Sequence, residues 1–119
     1  CVGIDARGFI FAAAAAHKIG TGFVPIRKKG KLPWKTYEES YSLEYGEATV
    51  AIHQDALEPG ARVLLLDDLL ATGGTAAAAV SLLETIGAEI VEIGFLIELG
   101  FLNGREKMGD HPINSLITY

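Results

Sequence analysis

The sequence predicts an α/β fold: a parallel sheet with helices on both faces and an inserted β-hairpin. Continuous apolar runs, clearest at residues 63–66, are typical of strands that are buried on both sides. Between such runs lie alanine-rich stretches in which apolar residues have helical spacing. The resulting strand–helix–strand order favours parallel strands joined by crossover helices.

The first quarter of the chain is predicted to supply two strands and a helix. Residues 1–4 form a short strand, and residues 9–18 form a helix that Gly20 closes. A second strand covers residues 22–26, with Pro25 near its end, where a missing N–H is tolerable.

A polar, basic linker at residues 27–35 leads into the inserted hairpin. Residues 37–43 and 48–52 are rich in β-forming side chains, and Gly46 lies between them. This pattern predicts two antiparallel strands with a turn near Gly46, as the exception to the parallel order.

The second half is predicted to resume the alternation of strands and helices. The buried strand at 63–66 is followed by a helix at 76–86, with Gly87 just past its end. Three further elements follow: a strand at residues 89–99, a short helix at 100–108 and a final strand at 113–118.

Composition narrows the class of protein. With 119 residues, half of them hydrophobic, the chain can form one globular domain, residues 1–119, with a real core. A net charge of −5 argues against a nucleic-acid partner, and no apolar run reaches the ~18 residues of a membrane span. A single cysteine, Cys1, agrees with a reducing compartment, the cytoplasm. Because the chain starts at Cys1, inside a predicted strand, we expect the natural protein to have more sequence upstream.

The segment 63–75 carries the clearest functional pattern. A buried strand ends in Asp67 and Asp68, and a Thr-Gly-Gly-Thr turn then leads into a helix. A helix N-terminus offers unpaired N–H groups to a phosphate, and Gly73 and Gly74 let the backbone approach that anion without a Cβ in the way. Adjacent carboxylates can accept hydrogen bonds from sugar hydroxyls. The pattern therefore predicts a site for a phosphorylated ribose.

The alternative is a buried strand and a turn that merely caps a helix. Two consecutive aspartates at the carboxyl end of a strand are hard to explain that way, because they would be desolvated or repel each other. The segment is not a Walker A loop, because no lysine follows the second glycine, and it is not the Gly-x-Gly-x-x-Gly fingerprint.

Other candidate positions lie in loops. Arg7 follows the first predicted strand, where a second anion could bind; alternatively, Asp5 caps the helix and Arg7 is solvated. Glu44 and Tyr45 occupy the hairpin tip, where an exposed glutamate is otherwise simply solvated. Four cations form either a solvated basic loop or a patch that neutralises a polyanion: Arg27, Lys28, Lys29 and Lys31.

Several separate motifs together resemble the type I phosphoribosyltransferases and, among them, the adenine phosphoribosyltransferases. The motifs stand at residues 64–75, 3–9, 27–33, 42–46 and 101–107. The resemblance covers essentially the whole chain, but not the N-terminal region of the family, which forms a hood over the base. It implies a parallel-sheet core in which the hairpin belongs to a mobile lid of about residues 28–52.

The resemblance implies a role in purine salvage. The reaction would transfer the 5-phosphoribosyl group from 5-phosphoribosyl 1-diphosphate to adenine, giving AMP and diphosphate, with Mg²⁺ and in a homodimer. Spacing alone does not distinguish adenine from guanine or xanthine. A domain of another class, which only senses the sugar diphosphate and regulates something else, is the alternative function.

Roles for individual residues also follow from the resemblance. It implies that the ribose hydroxyls meet Asp67 and Asp68, that Glu44 faces the purine as proton donor or acceptor near N7, and that Tyr45 closes the lid. Mg²⁺ would be carried mainly by the substrate, close to the two aspartates, with no direct protein ligands. Leu69 and Phe9 would wall the base. The 5′-phosphate would be held by Ala71, Thr72, Gly73, Gly74 and Thr75. The diphosphate would be held by Ala6, Arg7, Arg27, Lys28 and Lys31, the last three acting either within the same chain or from the neighbouring subunit of a dimer.

Overall fold

The computed structural model describes residues 1–43 and 45–119 and contains, within them, seven strands, two α-helices and two short 3-10 helices. The strands are β1 (Val2–Ile4), β2 (Val24–Lys28), β3 (Thr36–Leu43), β4 (Gly46–His53), β5 (Arg62–Leu70), β6 (Glu89–Glu98) and β7 (Ile113–Thr118). The α-helices are α1 (Gly8–Ile19) and α2 (Gly74–Ile86), and the 3-10 helices cover Gly100–Leu102 and Gly104–Met108.

All seven described strands form one sheet in the order β3-β4-β2-β1-β5-β6-β7. Strand β1 lies between β2 and β5 and is parallel to both, and β5, β6 and β7 continue the parallel pairing. The hairpin of β3 and β4 is antiparallel and extends the sheet beyond β2. The predicted α/β class and the inserted hairpin are therefore confirmed.

The two helices cover opposite faces of the sheet. Val2 and Ile4 belong to the buried cluster that also contains the apolar residues of α2. Gly3, between them, faces α1, because a Cβ built at Gly3 would lie 2.8 Å from the Cβ of Ala12. Successive residues of a strand point to opposite faces, so α1 and α2 pack on different sides of β1.

The helix ends follow the predicted glycines closely. Gly20 and Gly87 adopt left-handed conformations, with φ values of 75° and 87°, immediately after α1 and α2. Helix α2 begins at Gly74, two residues before the predicted start, because the left-handed bend at Gly73, with a φ of 90°, already turns the chain into it. Among the described helices, none is long and apolar enough to cross a membrane.

Three other elements also differ from prediction, the two strands because of pairing with a distant strand and the short helix because of its own backbone. Strand β5 continues past residue 66 to Leu70, because β6 keeps pairing with it through Glu98. Strand β2 is displaced to Val24–Lys28, because its last two residues pair with β4. The short helix expected at 100–108 is split by Asn103, whose φ of 54° is left-handed.

Candidate active site

A cleft of about 880 Å³ opens where the carboxyl ends of β1 and β5 lie side by side. The pairing of β1 with β5 reaches only Leu66, so the last residues of β5 border the cleft on that side. Ligands of open α/β sheets bind at such a position, where chain connections leave in opposite directions. The cleft is lined by Asp5, Ala6, Arg7, Lys28, Tyr41, Ser42, Leu43, Asp67, Asp68, Leu69, Leu70, Ala71, Thr72, Gly73, Gly74, Thr75, Ala76 and Lys107.

One wall of the cleft is the bend at residues 71–75, which we call the phosphate bend. The first amides of an α-helix have no partner inside the helix. Outside the regular helix and strand ladders of the described residues, no backbone hydrogen bond uses an amide of residues 71–75 as its donor. These amides, at the positive end of α2, are therefore able to donate to an anion in the cleft.

The glycines of the phosphate bend are required by packing as well as by ligand access. A Cβ on Gly73 would lie 2.6 Å from the carbonyl oxygen of Gly104, and a Cβ on Gly104 would lie 2.5 Å from that of Ala71. The backbone of the phosphate bend is therefore in direct contact with the backbone of the second 3-10 helix. Gly74 faces the Tyr41 ring, 3.3 Å from where its Cβ would stand.

The two aspartates lie within β5 rather than after it, and their environments differ. The Asp67 carboxylate accepts a hydrogen bond from the Asp68 amide at 2.8 Å and lies beside Gly8, whose Cβ would be 2.9 Å from Oδ1. Burial raises the pKa of Asp67 to about 7, and the neighbouring Asp68 carboxylate adds to this. Asp67 is consequently an inner acid that titrates near neutral pH.

Asp68 is the outer acid and is paired with a cation. Its Oδ2 accepts a hydrogen bond from Arg7 Nε at 2.5 Å, with 22% of the Asp68 side chain and 75% of the Arg7 side chain exposed. The loop that holds Arg7 follows β1 and contains a cis peptide bond between Asp5 and Ala6. The Arg7–Asp68 ion pair thus links the predicted diphosphate loop to the two aspartates of β5.

The remaining predicted site residues divide into two groups. Ala6, Lys28 and Leu69 line the cleft. Arg27 and Lys31 are not among its described lining residues. Instead, Arg27 lies behind the β1 loop, with Nε 3.6 Å from Asp5 Oδ2 and Nη1 donating to the Lys31 carbonyl at 3.3 Å.

The predicted base-facing residues are also dispersed. Tyr45 is 90% exposed at the hairpin tip, and Phe9 packs edge-to-face on Phe23, with ring centroids 5.6 Å apart. Neither borders the cleft within the described part of the chain. Glu44 lies outside the described residues, and its role as proton donor or acceptor stays a prediction.

Sequence reasoning missed an ion pair behind the phosphate bend, between the buried Glu98 and the half-exposed Arg105. Glu98, at the end of β6, is only 5% exposed and accepts hydrogen bonds from Arg105 Nε at 2.7 Å and Nη2 at 2.8 Å. Ser115 Oγ donates to it at 2.8 Å. Arg105 holds the pKa of Glu98 below its usual range. Both charged residues were visible in the sequence, but no local pattern pairs residues seven positions apart across a turn.

The fold and cleft define a class that comparison with known proteins confirms. Residues 1–114 match the phosphoribosyl transferase domain family, so the chain belongs to that family. Its relatives include the adenine phosphoribosyltransferase of Chloroflexus aurantiacus, 58% identical over 118 residues that cover 99% of this chain and 68% of the relative. The enzyme of Thermobifida fusca is 58% identical over 116 residues, covering 98% and 66%.

Solved structures agree. The crystal structure of adenine phosphoribosyltransferase from Thermoanaerobacter pseudethanolicus has a TM-score of 0.96 at 49% identity, covering 99% of this chain and 69% of that one. The enzyme of Saccharomyces cerevisiae, solved with an imino-altritol bisphosphate and adenine, has a TM-score of 0.94 at 43% identity, covering 97% and 65%. The chain thus spans about two thirds of the length of these proteins.

Proposed function

We propose that this chain acts in purine salvage, transferring the 5-phosphoribosyl group of 5-phosphoribosyl 1-diphosphate to adenine, with AMP and diphosphate as products. The observation that carries this proposal is one cleft in which the free amides of the phosphate bend stand next to Asp67 and Asp68. Relatives 58% identical to it are adenine phosphoribosyltransferases, which supports adenine as the base.

The phosphate bend is proposed to hold the 5′-phosphate. Amides of residues 71–75 donate to the phosphate oxygens, and the positive end of α2 favours the dianion. Because the Gly73 backbone already rests on Gly104, the bend is in place before the substrate arrives. The anion is therefore bound without first ordering a loop.

The acid pair is proposed to act on the ribose. Cleavage of a glycosidic bond at C1 passes through a transition state with oxocarbenium character and positive charge on the sugar. Carboxylates that hydrogen-bond the ribose hydroxyls stabilise this charge more than the neutral ground state, which lowers the barrier. Asp67, whose pKa is raised to about 7 by burial, gains stability as a carboxylate when that positive charge develops.

The diphosphate end of the cleft contains Ala6, Arg7 and Lys28. Arg7 is proposed to exchange its ion pair with Asp68 for the incoming diphosphate, which frees Asp68 to meet the ribose. Of the described residues, no group of three metal-ligating side chains comes together, whereas Asp67 and Asp68 offer the oxygen atoms that Mg²⁺ prefers. Mg²⁺ is proposed to arrive with the substrate and, when bound, to neutralise the leaving diphosphate. Removal of Mg²⁺ by a chelator should abolish transfer, and added Mg²⁺ should restore it.

Glu44 and Tyr45 are proposed to close over the base as part of the lid. A carboxyl group near N7 can exchange a proton with the purine as the C1–N9 bond forms. Glu44→Gln should therefore lower kcat at least about a hundredfold with the KM for the sugar diphosphate nearly unchanged. Glu47→Gln, in the same hairpin, is the control and should retain activity. Normal turnover by Glu44→Gln would remove Glu44 from the chemistry.

The test of the whole proposal is isotope transfer from labelled adenine into AMP, with 5-phosphoribosyl 1-diphosphate and Mg²⁺. Guanine, xanthine, hypoxanthine and uracil serve as competing bases. We expect adenine alone to be converted efficiently. Binding of the sugar diphosphate without transfer to any base would instead identify a sensing domain, and conversion of guanine or xanthine would identify a related purine transferase.

We also propose a homodimer in the cytoplasm. The support for a dimer is that Arg27 and Lys31, implied to hold diphosphate, lie away from the described lining of their own cleft. The support for a reducing compartment is the single cysteine. Sedimentation equilibrium should give twice the chain mass, and a monomer at all concentrations would contradict the dimer.

A further inference from the structure

We propose that Lys107 is a ligand of the 5′-phosphate, an inference that rests on the proposed function and adds a cation to the phosphate bend. Lys107 lines the same cleft as residues 71–75. It is exposed and lies on the second 3-10 helix, Gly104–Met108, far from the phosphate bend in sequence. Lys107 ends the motif at residues 101–107, but the sequence by itself assigns it no contact with a ligand.

The position of Lys107 is specific to one end of the cleft. It also borders two smaller cavities, of about 620 and 370 Å³, and shares both with Ala77 and the second with Gly74. Gly74 and Ala77 are the first turn of α2, where the 5′-phosphate is proposed to bind. The other cations of the cleft are Arg7, in the loop after β1, and Lys28, the last residue of β2, and both belong to the diphosphate end.

The segment that carries Lys107 is fixed to the sheet and to the bend. Arg105 is held by the buried carboxylate of Glu98 through two hydrogen bonds, of 2.7 and 2.8 Å. Gly104 rests on the bend itself, since its Cβ would lie 2.5 Å from the Ala71 oxygen and 3.2 Å from the Gly73 nitrogen. Met108, 1% exposed, packs into the core. Lys107 is thus placed beside the bend by rigid neighbours on both sides.

The electrostatic need for a further cation is clear from the cleft. Asp67 and Asp68 lie on the strand that leads into the phosphate bend, and the described ion pair of Arg7 is with Asp68. A phosphate dianion at the phosphate bend is therefore repelled by the two carboxylates. The Lys107 ammonium group, beside the first turn of α2, offsets this repulsion at short range. Three acids that line the two smaller cavities together with Lys107 are the competing partners, namely Glu39, Glu84 and Asp110.

The experiment measures binding of ribose 5-phosphate, AMP and adenine by calorimetry at constant ionic strength. Lys107→Met is expected to bind both phosphorylated ligands about tenfold more weakly, the loss typical of one charge-assisted hydrogen bond. Adenine, which carries no phosphate, should bind as before. Lys107→Arg should recover most of the affinity, and Lys18→Met, at the exposed end of α1, is the matched control.

The outcomes separate this inference from the proposed function. Ribose 5-phosphate affinity of Lys107→Met within twofold of the unaltered protein would overturn the role of Lys107, even if adenine is converted to AMP. If Lys107→Met has a lowered thermal midpoint but unchanged ligand affinity, Lys107 instead stabilises the fold through an ion pair with a neighbouring acid such as Glu39, and the inference is overturned. Weakened phosphate binding in a protein that transfers no phosphoribosyl group would support Lys107 and refute the proposed function.

Discussion

Burial raises the pKa of both Asp67 and Glu98, but the net shifts of these two carboxylates have opposite directions. For Asp67, desolvation is the largest influence, and its pKa rises to about 7. For Glu98, the hydrogen bonds from Arg105 outweigh desolvation, and its pKa falls. The difference follows from the partner: Glu98 has a bidentate guanidinium, whereas Asp67 accepts from a backbone amide. One acid is thus structural, and the other can change charge near neutral pH.

Asp67 should make stability depend on pH. Its pKa in the folded chain, about 7, exceeds the ordinary value of 3.8, so the folded state holds a proton that the unfolded state has released. The free energy of unfolding should therefore fall as the pH rises from about 4 to 7, by at most about 4 kcal/mol. Asp67→Asn should remove this slope and be more stable than the unaltered protein at pH 8.

Thermal or urea unfolding between pH 5 and 8, without ligand, measures this effect. Asp55→Asn, at an exposed turn position, is the control and should keep the slope. Parallel stability profiles for Asp67→Asn and the unaltered protein would show that Asp67 is not the group responsible.

Gly73→Ala should disrupt the phosphate bend. The added Cβ would meet the Gly104 carbonyl oxygen at 2.6 Å, and the backbone there has a φ of 90°. Gly60→Ala is a close control, with a φ of 85° and open space around the added Cβ. Each should lose about 1 kcal/mol of stability from the left-handed backbone. Only Gly73→Ala should lose ribose 5-phosphate binding, measured by calorimetry. Equal binding by both variants would refute the proposed role of the phosphate bend.

At the scale of elements, the site depends on how β5, α2 and the second 3-10 helix meet. Strand β5 delivers Asp67 and Asp68 to the edge of the cleft, and the left-handed Gly73 turns the chain into α2. The 3-10 helix supports that turn from behind through Gly104. The Glu98–Arg105 pair fixes the 3-10 helix to the end of β6. The position of the phosphate bend is therefore supported by an ion pair that does not line the cleft.

Arg105→Met should destabilise the protein by about 2–3 kcal/mol, because it removes two charge-assisted hydrogen bonds from the buried Glu98 carboxylate, while the Arg105 side chain itself is 47% exposed. Arg62→Met is the control, since Arg62 pairs with Glu89 at 3.7 Å between two exposed side chains and should cost less than about 1 kcal/mol. Urea denaturation at pH 7 measures both. A loss for Arg105→Met no larger than for Arg62→Met would mean that the pair contributes little.

The same pair has a pH signature with the opposite sign to that of Asp67. The pKa of Glu98 is lowered in the folded chain, so its stabilisation is present above the ordinary value of 4.5 and is lost as the pH falls through the lower folded value. The stability difference between Arg105→Met and the unaltered protein should accordingly shrink below pH 4.5.

Local signals in the sequence predicted the elements that local chemistry decides. The glycines after α1 and α2, the hairpin and the phosphate bend all depend on residues within one or two turns of each other. The ends of β2 and β5 could not be predicted, because β4 and β6, distant in sequence, decide how far pairing continues. Lys107 and the Glu98–Arg105 pair were missed for the same reason, since only the fold brings them to the bend.

At the scale of the whole molecule, an acidic chain must bind a polyanion. The net charge is −5, and the cleft contains Asp5, Asp67 and Asp68 beside its cations. Long-range attraction of the sugar diphosphate is consequently weak, and binding relies on short-range contacts from the bend and from exposed Arg7 and Lys28. Affinity for this substrate should depend on the few cations that face it.

The KM for 5-phosphoribosyl 1-diphosphate should rise several-fold between 50 mM and 500 mM KCl at constant free Mg²⁺, since the Debye length shortens from roughly 14 Å to 4 Å. The KM for adenine, which is neutral, should stay within about twofold and provides the internal control. Initial-rate kinetics with each substrate varied in turn measure both. Equal salt sensitivity of the two KM values would indicate a general effect of salt on the protein.

The contact between Gly73 and Gly104 matters for anyone who wishes to redesign this enzyme for another anion. A library that randomises only residues 71–75 will return glycine at position 73 whatever ligand is used for selection, because the obstacle is the opposing main chain and not the substrate. Gly73 and Gly104 are thirty-one positions apart in the sequence, but a larger residue at one of them requires a change in the segment around the other. New specificity requires diversifying both together.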